Sequence, residues 1–210
     1  GEPANPDYNG EHLAGVSPSQ VSQRRGLRHS TARAFLAPAM RRKNLRVITG
    51  AMSRRVLIED GRAVGVEYQK GDRVHVARCS REVIVCAGAI GSPKLLLLSG
   101  VGPAKDLADL RIDVAADVPG VGQHMKNHMG TIMLFEVDIP TLNRKFTPVN
   151  IVRHGFNLIV FGRGPATAAL GHAHVYGSLR GGRVDYKYGF GPYGRFKAKE
   201  TGRYRDTHKL

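Results

Sequence analysis

The chain has 210 residues, of which 41% are hydrophobic, and its 32 Lys and Arg against 17 Asp and Glu give a formal net charge of +15. A chain of this size can bury a substantial core, as one domain or as two, and it contains no apolar run long enough to form a membrane-spanning helix. Only two cysteines, Cys79 and Cys86, are present, and both lie in strand-like runs, so the sequence predicts buried, reduced thiols and leaves the compartment open.

The basic excess is spread over both ends of the chain. Residues 1–50 and 151–210 are strongly basic, whereas residues 101–150 are slightly acidic. The tract Arg41-Arg-Lys43 closes a predicted helix, where cations complement the helix dipole without any partner. No zinc-finger spacing, helix-turn-helix pattern or aromatic-interleaved RNA motif accompanies the charge. A generally basic surface is the favoured interpretation, and a basic nucleic-acid-binding domain stays open as an alternative.

The first third of the chain predicts a loop, a helix and a β-meander. Residues 1–26 are rich in Gly, Pro, Asn and Ser and predict an ordered loop with little regular structure. Ser30 or Thr31 is placed to cap a helix that runs to about Lys43. The dipeptide Asp60-Gly61 predicts a two-residue hairpin turn within the meander. The meander strands are expected at Leu45–Thr49, Ser53–Glu59, Arg62–Gln69 and Arg73–Cys79.

The next segment predicts a strand that ends in small residues and leads into a helix. The run Glu82–Ala87 is β-branched and apolar, which is typical of a buried strand in a parallel sheet. Gly88 follows it, so that a ligand or another backbone can approach the strand end closely. Ser92 is then a natural N-cap, with Pro93 at the first position of a helix expected at Lys94–Ser99.

The remaining elements alternate between helices and strands. The last two of these strands alternate well enough to pair with each other in a second sheet. The expected elements are helices Ala104–Leu110 and Pro148–Phe161, and strands Ile112–Ala115, Gly130–Val137, His172–Leu179 and Val184–Phe190. The fold class is therefore α/β with α+β elements, comprising a β-meander and a separate antiparallel sheet.

Glycine and histidine patterns supply no catalytic or metal site. The runs beginning at Gly100 and Gly120 start like a dinucleotide fingerprint but lack its third glycine and its strand–turn–helix context. His124 and His128 have helical spacing, and the His172-Ala-His174 pair shares one face of a strand, but neither pair has a convincing third ligand. We therefore assign no metal-binding residue and no catalytic residue within the chain.

Several motifs occur in the order found in one family of flavoproteins. The segment Gly88-Ala-Ile-Gly-Ser-Pro-Lys-Leu-Leu-Leu-Leu-Ser-Gly-Val-Gly102 resembles the second signature of the glucose–methanol–choline (GMC) flavoprotein oxidoreductases. The order is most similar to that of the insect-type dehydrogenase branch. Further segments that resemble family elements are Asp7-Tyr-Asn-Gly10, Arg28–Pro38, Asn44–Thr49, Ala63–Tyr68, Pro119–His128 and Gly164-Pro-Ala-Thr167.

The resemblance implies an FAD-dependent oxidoreductase that acts on CH–OH donors such as an alcohol, a sugar or a choline-like compound. Hydride would pass to the flavin and then to oxygen or a quinone, with the histidine base beyond Leu210. Ser53 aligns with a family residue whose backbone contacts adenine, and Ala87 and Gly88 lie on the ribose side. The resemblance thus makes Ser53, Ala87 and Gly88 the candidate cofactor-binding residues.

The resemblance also implies a division of the chain. Residues 1–32 and 129–210 would belong to a substrate domain, and residues 33–128 to a two-dinucleotide-fold FAD domain. Both ends of the sequence look cut, so we expect a mid-chain fragment that lacks the glycine fingerprint of the FAD diphosphate. A catalytically inactive flavoprotein-like interaction module is the second alternative to an enzyme.

Overall fold

A computed structural model describes residues 1–135, 137, 139, 141–142, 147–168, 171–192, 195–197 and 204–206. The chain divides into two compact units. One unit combines Gly1–Arg42 with Thr131–Leu210, and the other is Lys43–Gly130. We refer to them as the split unit and the central unit. None of the described helices is both long enough and apolar enough to cross a membrane.

The described elements confirm a mixed α/β architecture with antiparallel sheets. The strands are β1 (Gly15–Pro18), β2 (Gln23–Arg24), β3 (Leu27–Arg28), β4 (Ala51–Glu59), β5 (Arg62–Lys70), β6 (Arg73–Arg78), β7 (Val101–Gly102), β8 (Ala116–Asp117), β9 (Ala173–Gly177), β10 (Tyr186–Phe190), β11 (Arg195–Lys197) and β12 (Tyr204–Asp206). The helices are α1 (Ala37–Ala39), which follows a π-helical turn at Ala32–Leu36, then α2 (Gly88–Leu98), α3 (Ala104–Asp109) and α4 (Pro148–Phe161), with a 3-10 turn at Pro165–Thr167.

The central unit is built on the meander β4-β5-β6, which confirms three of the predicted strands. Asp60 and Gly61 have φ values of 50° and 73°, and this pair of positive values is what a type I′ hairpin turn requires. The predicted strand Leu45–Thr49 is wrong, because this segment forms no strand and the first strand begins only at Ala51. Val56, Leu95 and Leu107 form the buried apolar core of this unit.

The pairing of β4 with β5 contains two compensating bulges. From the turn, Glu59 pairs with Arg62 and Ile58 with Ala63, after which Leu57 pairs with Gly65 and leaves Val64 as an extra residue. Further along, Arg55 pairs with Glu67 and Ser53 with Tyr68, so that Arg54 is an extra residue on β4. The second bulge therefore restores the register that the first one shifted.

Helix α2 begins five residues before Pro93, the expected first helical residue. The sequence predicted Ser92 as the N-cap and Pro93 as the first helical residue, but the helix starts at Gly88 and Pro93 lies inside it. The Ser92 hydroxyl reaches back and accepts a hydrogen bond from the Ala87 N–H at 3.1 Å. Since proline removes only one amide donor from the ladder, the apolar turn that follows, with Leu95 buried, continues the helix past it.

The predicted buried strand Glu82–Ala87 is also wrong for the described residues. This segment forms no regular strand, and the Ile84 side chain is 75% exposed. A buried parallel strand needs a strand to pair with and cover on both of its faces, and no strand in the described part of the chain pairs with this segment. The same exposure corrects the expectation for the cysteines, because Cys86 is an exposed free thiol while Cys79 is half-buried.

Three other predicted elements differ from the structure in their bounds or are not formed. The helix expected from Ser30 to about Lys43 is shorter, has no side-chain cap, and contains Pro38, which donates no amide hydrogen. The strand expected at Ile112–Ala115 is wrong, because these residues form no strand; β8 begins at the next residue, Ala116, and pairs parallel with β7. No strand forms over the described part of 130–137, of which residue 136 lies outside the described residues.

The split unit contains an antiparallel sheet of order β1-β9-β10. Pairing of β9 with β10 confirms the two strands expected at this end of the chain, whereas β1 shows that residues 1–26 are not only loop. Helix α4 has the predicted bounds. Its Thr147 side chain accepts a hydrogen bond from the Asn150 N–H at 3.3 Å, and Gly162 ends it with φ of 61°.

Candidate functional site

Ser53 lies on the outer strand of the meander. Strand β4 is at the edge of the sheet, with β5 between it and β6. The Ser53 side chain is exposed, and the residue pairs with Tyr68, whose ring stacks on the His75 ring at a centroid distance of 5.3 Å. The backbone of an edge strand has N–H and C=O groups that no neighbouring strand takes up.

The direction of the Ser53 backbone follows from the contact between β4 and α2. The Val56 N–H donates to the Ser99 hydroxyl at 2.7 Å, so it points away from β5 and the Val56–Val66 pair is not hydrogen-bonded. Hydrogen-bonded and non-hydrogen-bonded pairs alternate along an antiparallel ladder. Tyr68 lies two residues from Val66 on β5, so its pair with Ser53 has the same character. The Ser53 N–H and C=O therefore point outward from the sheet.

This edge offers one backbone donor and one backbone acceptor side by side. The Watson–Crick edge of adenine carries the complementary pair, an amino donor at N6 and an acceptor at N1. A shallow open depression adjoins the same end of the meander and is lined by Gly50, Ala51, Met52, Gln69 and Gly71. The residues present thus fit the adenine end of a dinucleotide, with recognition through the backbone rather than through the Ser53 hydroxyl.

Ala87 and Gly88 lie at the start of α2, and both are exposed. Gly88 has φ of 81°, a backbone conformation that strongly favours glycine, and an added Cβ there would meet nothing within 4 Å. Open space in front of a glycine is what close approach of a ligand requires. Unlike a crowded structural glycine, Gly88 leaves room for a group to lie against the helix start.

The structure does not join the two parts of the candidate site directly. Among the described residues, the hydrogen bond between β4 and α2 is made at Ser99, beyond the C-terminal end of the helix. Gly88 lies eleven residues away, which corresponds to about 16 Å along a helix axis. Ser53 and Gly88 therefore belong to one unit, but they would contact different parts of an extended ligand.

Sequence reasoning missed the features that orient Ser53. The bulge at Arg54 and the hydrogen bond from Val56 to Ser99 were not expected, because both depend on tertiary contacts. The pair Arg54-Arg55 was the one hint of the bulge in the sequence. In a regular strand the two side chains would point to opposite faces of the sheet. Both of them instead reach Glu67 on β5.

The split unit contains a separate cavity of about 940 Å³, and none of the predicted site residues lines it. Its wall includes Gln23, whose side-chain amide donates to the Thr167 carbonyl at 2.7 Å and to the Gly26 carbonyl at 3.0 Å. The bond to Thr167 ties the hairpin β2-β3 to the Gly-Pro-Ala-Thr segment, and the bond to Gly26 lies within the hairpin. Arg28 and His29 also line the cavity, together with apolar side chains such as Val21 and Phe35.

Three ionisable groups of the split unit have shifted pKa values. A hydrogen bond from Gln20 lowers the pKa of Asp7, and a hydrogen bond to Glu2 raises the pKa of Tyr186. Burial lowers the pKa of His174. Within the described ranges, no group of three or more His, Cys, Asp or Glu side chains could hold a metal ion.

The fold is mixed α/β, and its β-meander has an edge strand with Ser53 on it. A family model described as GMC oxidoreductase matches residues 1–130, which is more than half of the chain. The chain therefore belongs to the GMC oxidoreductase family.

Curated relatives agree with the family. An uncharacterised GMC-type oxidoreductase of Mycobacterium tuberculosis is 42% identical over 172 residues, covering 82% of this chain and 31% of that protein. An oxygen-dependent choline dehydrogenase of Sinorhizobium fredii is 49% identical over 123 residues, covering 59% of this chain and 22% of that protein. The chain thus spans less than a third of the length of these relatives.

Solved structures share the fold. Formate oxidase of Aspergillus oryzae superposes with a TM-score of 0.71 at 21% identity, over 79% of this chain and 29% of that chain. An FAD-dependent oxidoreductase from Chaetomium thermophilum superposes with a TM-score of 0.66 at 24% identity, over 79% of this chain and 30% of that chain. At this level of identity the likeness is one of fold.

Proposed function

We propose that these 210 residues form part of an FAD-dependent oxidoreductase that takes hydride from a CH–OH donor. Membership of the GMC oxidoreductase family supports this proposal, as does similarity to an oxygen-dependent choline dehydrogenase. The observation that carries it is the outward-facing backbone of Ser53 at the edge of β4, which offers adenine a donor and an acceptor.

The central unit is the part of the chain that we assign to the FAD. Its bounds, Lys43–Gly130, overlap most of the 33–128 segment that the sequence assigns to an FAD domain. The split unit corresponds to the substrate-domain segments 1–32 and 129–210. Its antiparallel sheet and its cavity are the features that would contribute to a substrate domain.

Ser53 would hold adenine, with its N–H donating to N1 and its C=O accepting from the amino group at N6. Ala87 and Gly88 would lie beside the ribose, where the open space at Gly88 admits a sugar. When bound, FAD supplies the hydride acceptor. The chain's own residues bind and orient its adenosine end, and the histidine base that the resemblance implies lies outside these 210 residues.

The substrate is an alcohol, a sugar or a choline-like compound, and the electron acceptor is oxygen or a quinone. The name of the Sinorhizobium fredii relative supports an oxygen-dependent reaction on a choline-like alcohol. The insect-type dehydrogenase branch stays a prediction, since the relatives compared above are bacterial. We do not propose a nucleic-acid-binding domain or an inactive interaction module, because the family match over residues 1–130 supports the oxidoreductase instead.

Proline substitutions at two positions of β4 test the adenine contact in the protein expressed from the complete reading frame. Because the Ser53 N–H points away from β5, Ser53→Pro removes the donor to adenine without removing a ladder bond. Ser53→Pro should weaken FAD binding at least ten-fold while the fold is kept. Ser53→Val, which keeps the backbone donor, should bind FAD within about two-fold of the wild type.

Arg55→Pro provides the matched control. Arg55 pairs with Glu67 and its N–H points toward β5, so proline there should disrupt the sheet itself and lower the unfolding temperature. FAD affinity is measured by fluorescence quenching and the fold by circular dichroism. Wild-type FAD affinity in a folded Ser53→Pro variant would show that the adenine contact lies elsewhere.

A further inference from the structure

Two consecutive arginines on β4 converge on a single carboxylate of β5. The Arg54 Nε lies 3.5 Å from Glu67 Oε1, and an Arg55 terminal nitrogen lies 3.1 Å from Glu67 Oε2. Neighbouring residues of a regular strand point to opposite faces, so a single side chain cannot pair with both of them. The bulge at Arg54 allows the arrangement, because two residues of β4 then face one residue of β5.

The same bulge decides which way the Ser53 backbone points. In a regular hairpin closed by a two-residue turn, the pair next to the turn is hydrogen-bonded, and every second pair after it is hydrogen-bonded as well. Glu59 is next to the turn, so in a regular hairpin the backbone N–H and C=O groups of residues 57, 55 and 53 would all point toward β5. The extra residue at Arg54 reverses this alternation and leaves the Ser53 donor and acceptor facing outward.

We propose that Glu67 is a positioning residue for adenine recognition, acting through the Arg54 bulge on the backbone of Ser53. This inference rests on the proposed function, because it assumes that adenine binds at Ser53. Glu67 touches neither adenine nor any reacting atom. Its carboxylate holds the two arginines on one face of the sheet and so maintains the register that exposes the Ser53 N–H and C=O.

The exposure of the three side chains indicates that the ion pairs of Glu67 with Arg54 and Arg55 are of moderate strength. Its side chain is 18% exposed, whereas the Arg54 and Arg55 side chains are 50% and 55% exposed. Shielding of the carboxylate reduces screening by solvent, but the exposed guanidinium groups limit the gain. Loss of the Glu67 charge should therefore let β4 adopt part of the time the regular pairing without the Arg54 bulge, while the meander stays folded.

Glu67→Gln tests the inference against a matched control in the same sheet. The control is Glu59→Gln, since Glu59 pairs with Arg78 at 2.6 Å and lies next to the hairpin turn, away from the Arg54 bulge. Dissociation constants are measured in the protein from the complete reading frame for FAD, for ADP and for riboflavin. Glu67→Gln should weaken FAD and ADP about three- to ten-fold and leave riboflavin unchanged, whereas Glu59→Gln should change none of the three.

The comparison of ADP with riboflavin separates positioning from general destabilisation. A variant that merely loosens the fold would weaken all three ligands together, and this outcome would overturn the inference. An unchanged ADP affinity in Glu67→Gln, with the expected loss in Ser53→Pro, would overturn the role of Glu67 and leave the adenine contact standing. Retention of FAD by folded Ser53→Pro would overturn both.

If Glu67→Gln does not fold, a double variant tests the same inference. Arg54→Ala combined with Arg55→Ala removes both partners and keeps the carboxylate on β5. It should show the same selective loss of ADP and FAD affinity. Wild-type affinity for ADP in the folded double variant would contradict the inference.

Discussion

The surroundings of His174 in the folded chain disfavour its protonated form. It lies in β9, with its ring 5.8 Å from the Tyr8 ring and 6.1 Å from the Tyr176 ring, measured between centroids. Burial lowers its pKa below the ordinary value of 6.5, and the nearby Lys187 ammonium lowers it further, while a backbone hydrogen bond to Tyr188 partly opposes both effects. The folded split unit therefore favours the neutral imidazole.

The stability of the chain should consequently fall as His174 is forced to accept a proton. Between its lowered folded pKa and 6.5, the unfolded state binds more protons than the folded state, so the free energy of unfolding decreases as the pH falls through this window. This contribution is fully present above the unfolded value. Urea unfolding at several pH values should show a shallower pH dependence for His174→Gln than for the wild type.

His12→Gln, which alters an exposed imidazole in the same unit, is the control for the loss of a histidine. Identical pH dependence in His174→Gln and the wild type would contradict the assignment of this stability term to His174.

At the scale of elements, Ser99 joins helix α2 to strand β4. Its hydroxyl accepts from the Val56 N–H at 2.7 Å and donates to the Leu95 carbonyl at 2.5 Å. Ser99→Ala leaves a partly buried N–H without its acceptor, which should lower the free energy of unfolding by about 1–2 kcal/mol. Denaturant titration measures this change.

Ser92→Ala is the comparison for that experiment, because the Ser92 hydroxyl makes its hydrogen bond to Ala87 at an exposed position. It should cost less than about 1 kcal/mol. Equal losses in the two variants would show that the Ser99 bond has no special role in holding α2 against β4.

Elements that are determined by the conformational preferences of their own residues were predictable from the sequence, and elements that depend on residues distant in the sequence were not. Asp60 and Gly61 determine a type I′ turn by their own backbone preferences, and helix α4 follows from its cap and its terminal glycine. The segment 82–87 depends on neighbouring strands that the described residues do not supply. The bulge at Arg54 depends on Glu67 across the sheet, so the orientation of Ser53 could not be read from β4 alone.

At the scale of the whole molecule, the chain spans less than a third of its curated relatives and carries no complete dinucleotide fingerprint. The 210 residues alone should therefore bind FAD weakly, since the diphosphate would lack its main anchor. They should also fail to reduce a redox dye with choline or glucose. Co-elution of yellow flavin with the chain in gel filtration, or dye reduction above background, would contradict this expectation.

The exposed segment 82–87 has a consequence for how the isolated chain behaves in solution. Ile84 is largely exposed within a run of β-branched residues, and no strand among the described residues pairs with this run, which makes the segment a template for intermolecular strand addition. The net charge of +15 opposes such contacts by mutual repulsion between molecules. Salt weakens that repulsion, so the isolated chain should remain dispersed at low ionic strength and self-associate as the ionic strength rises.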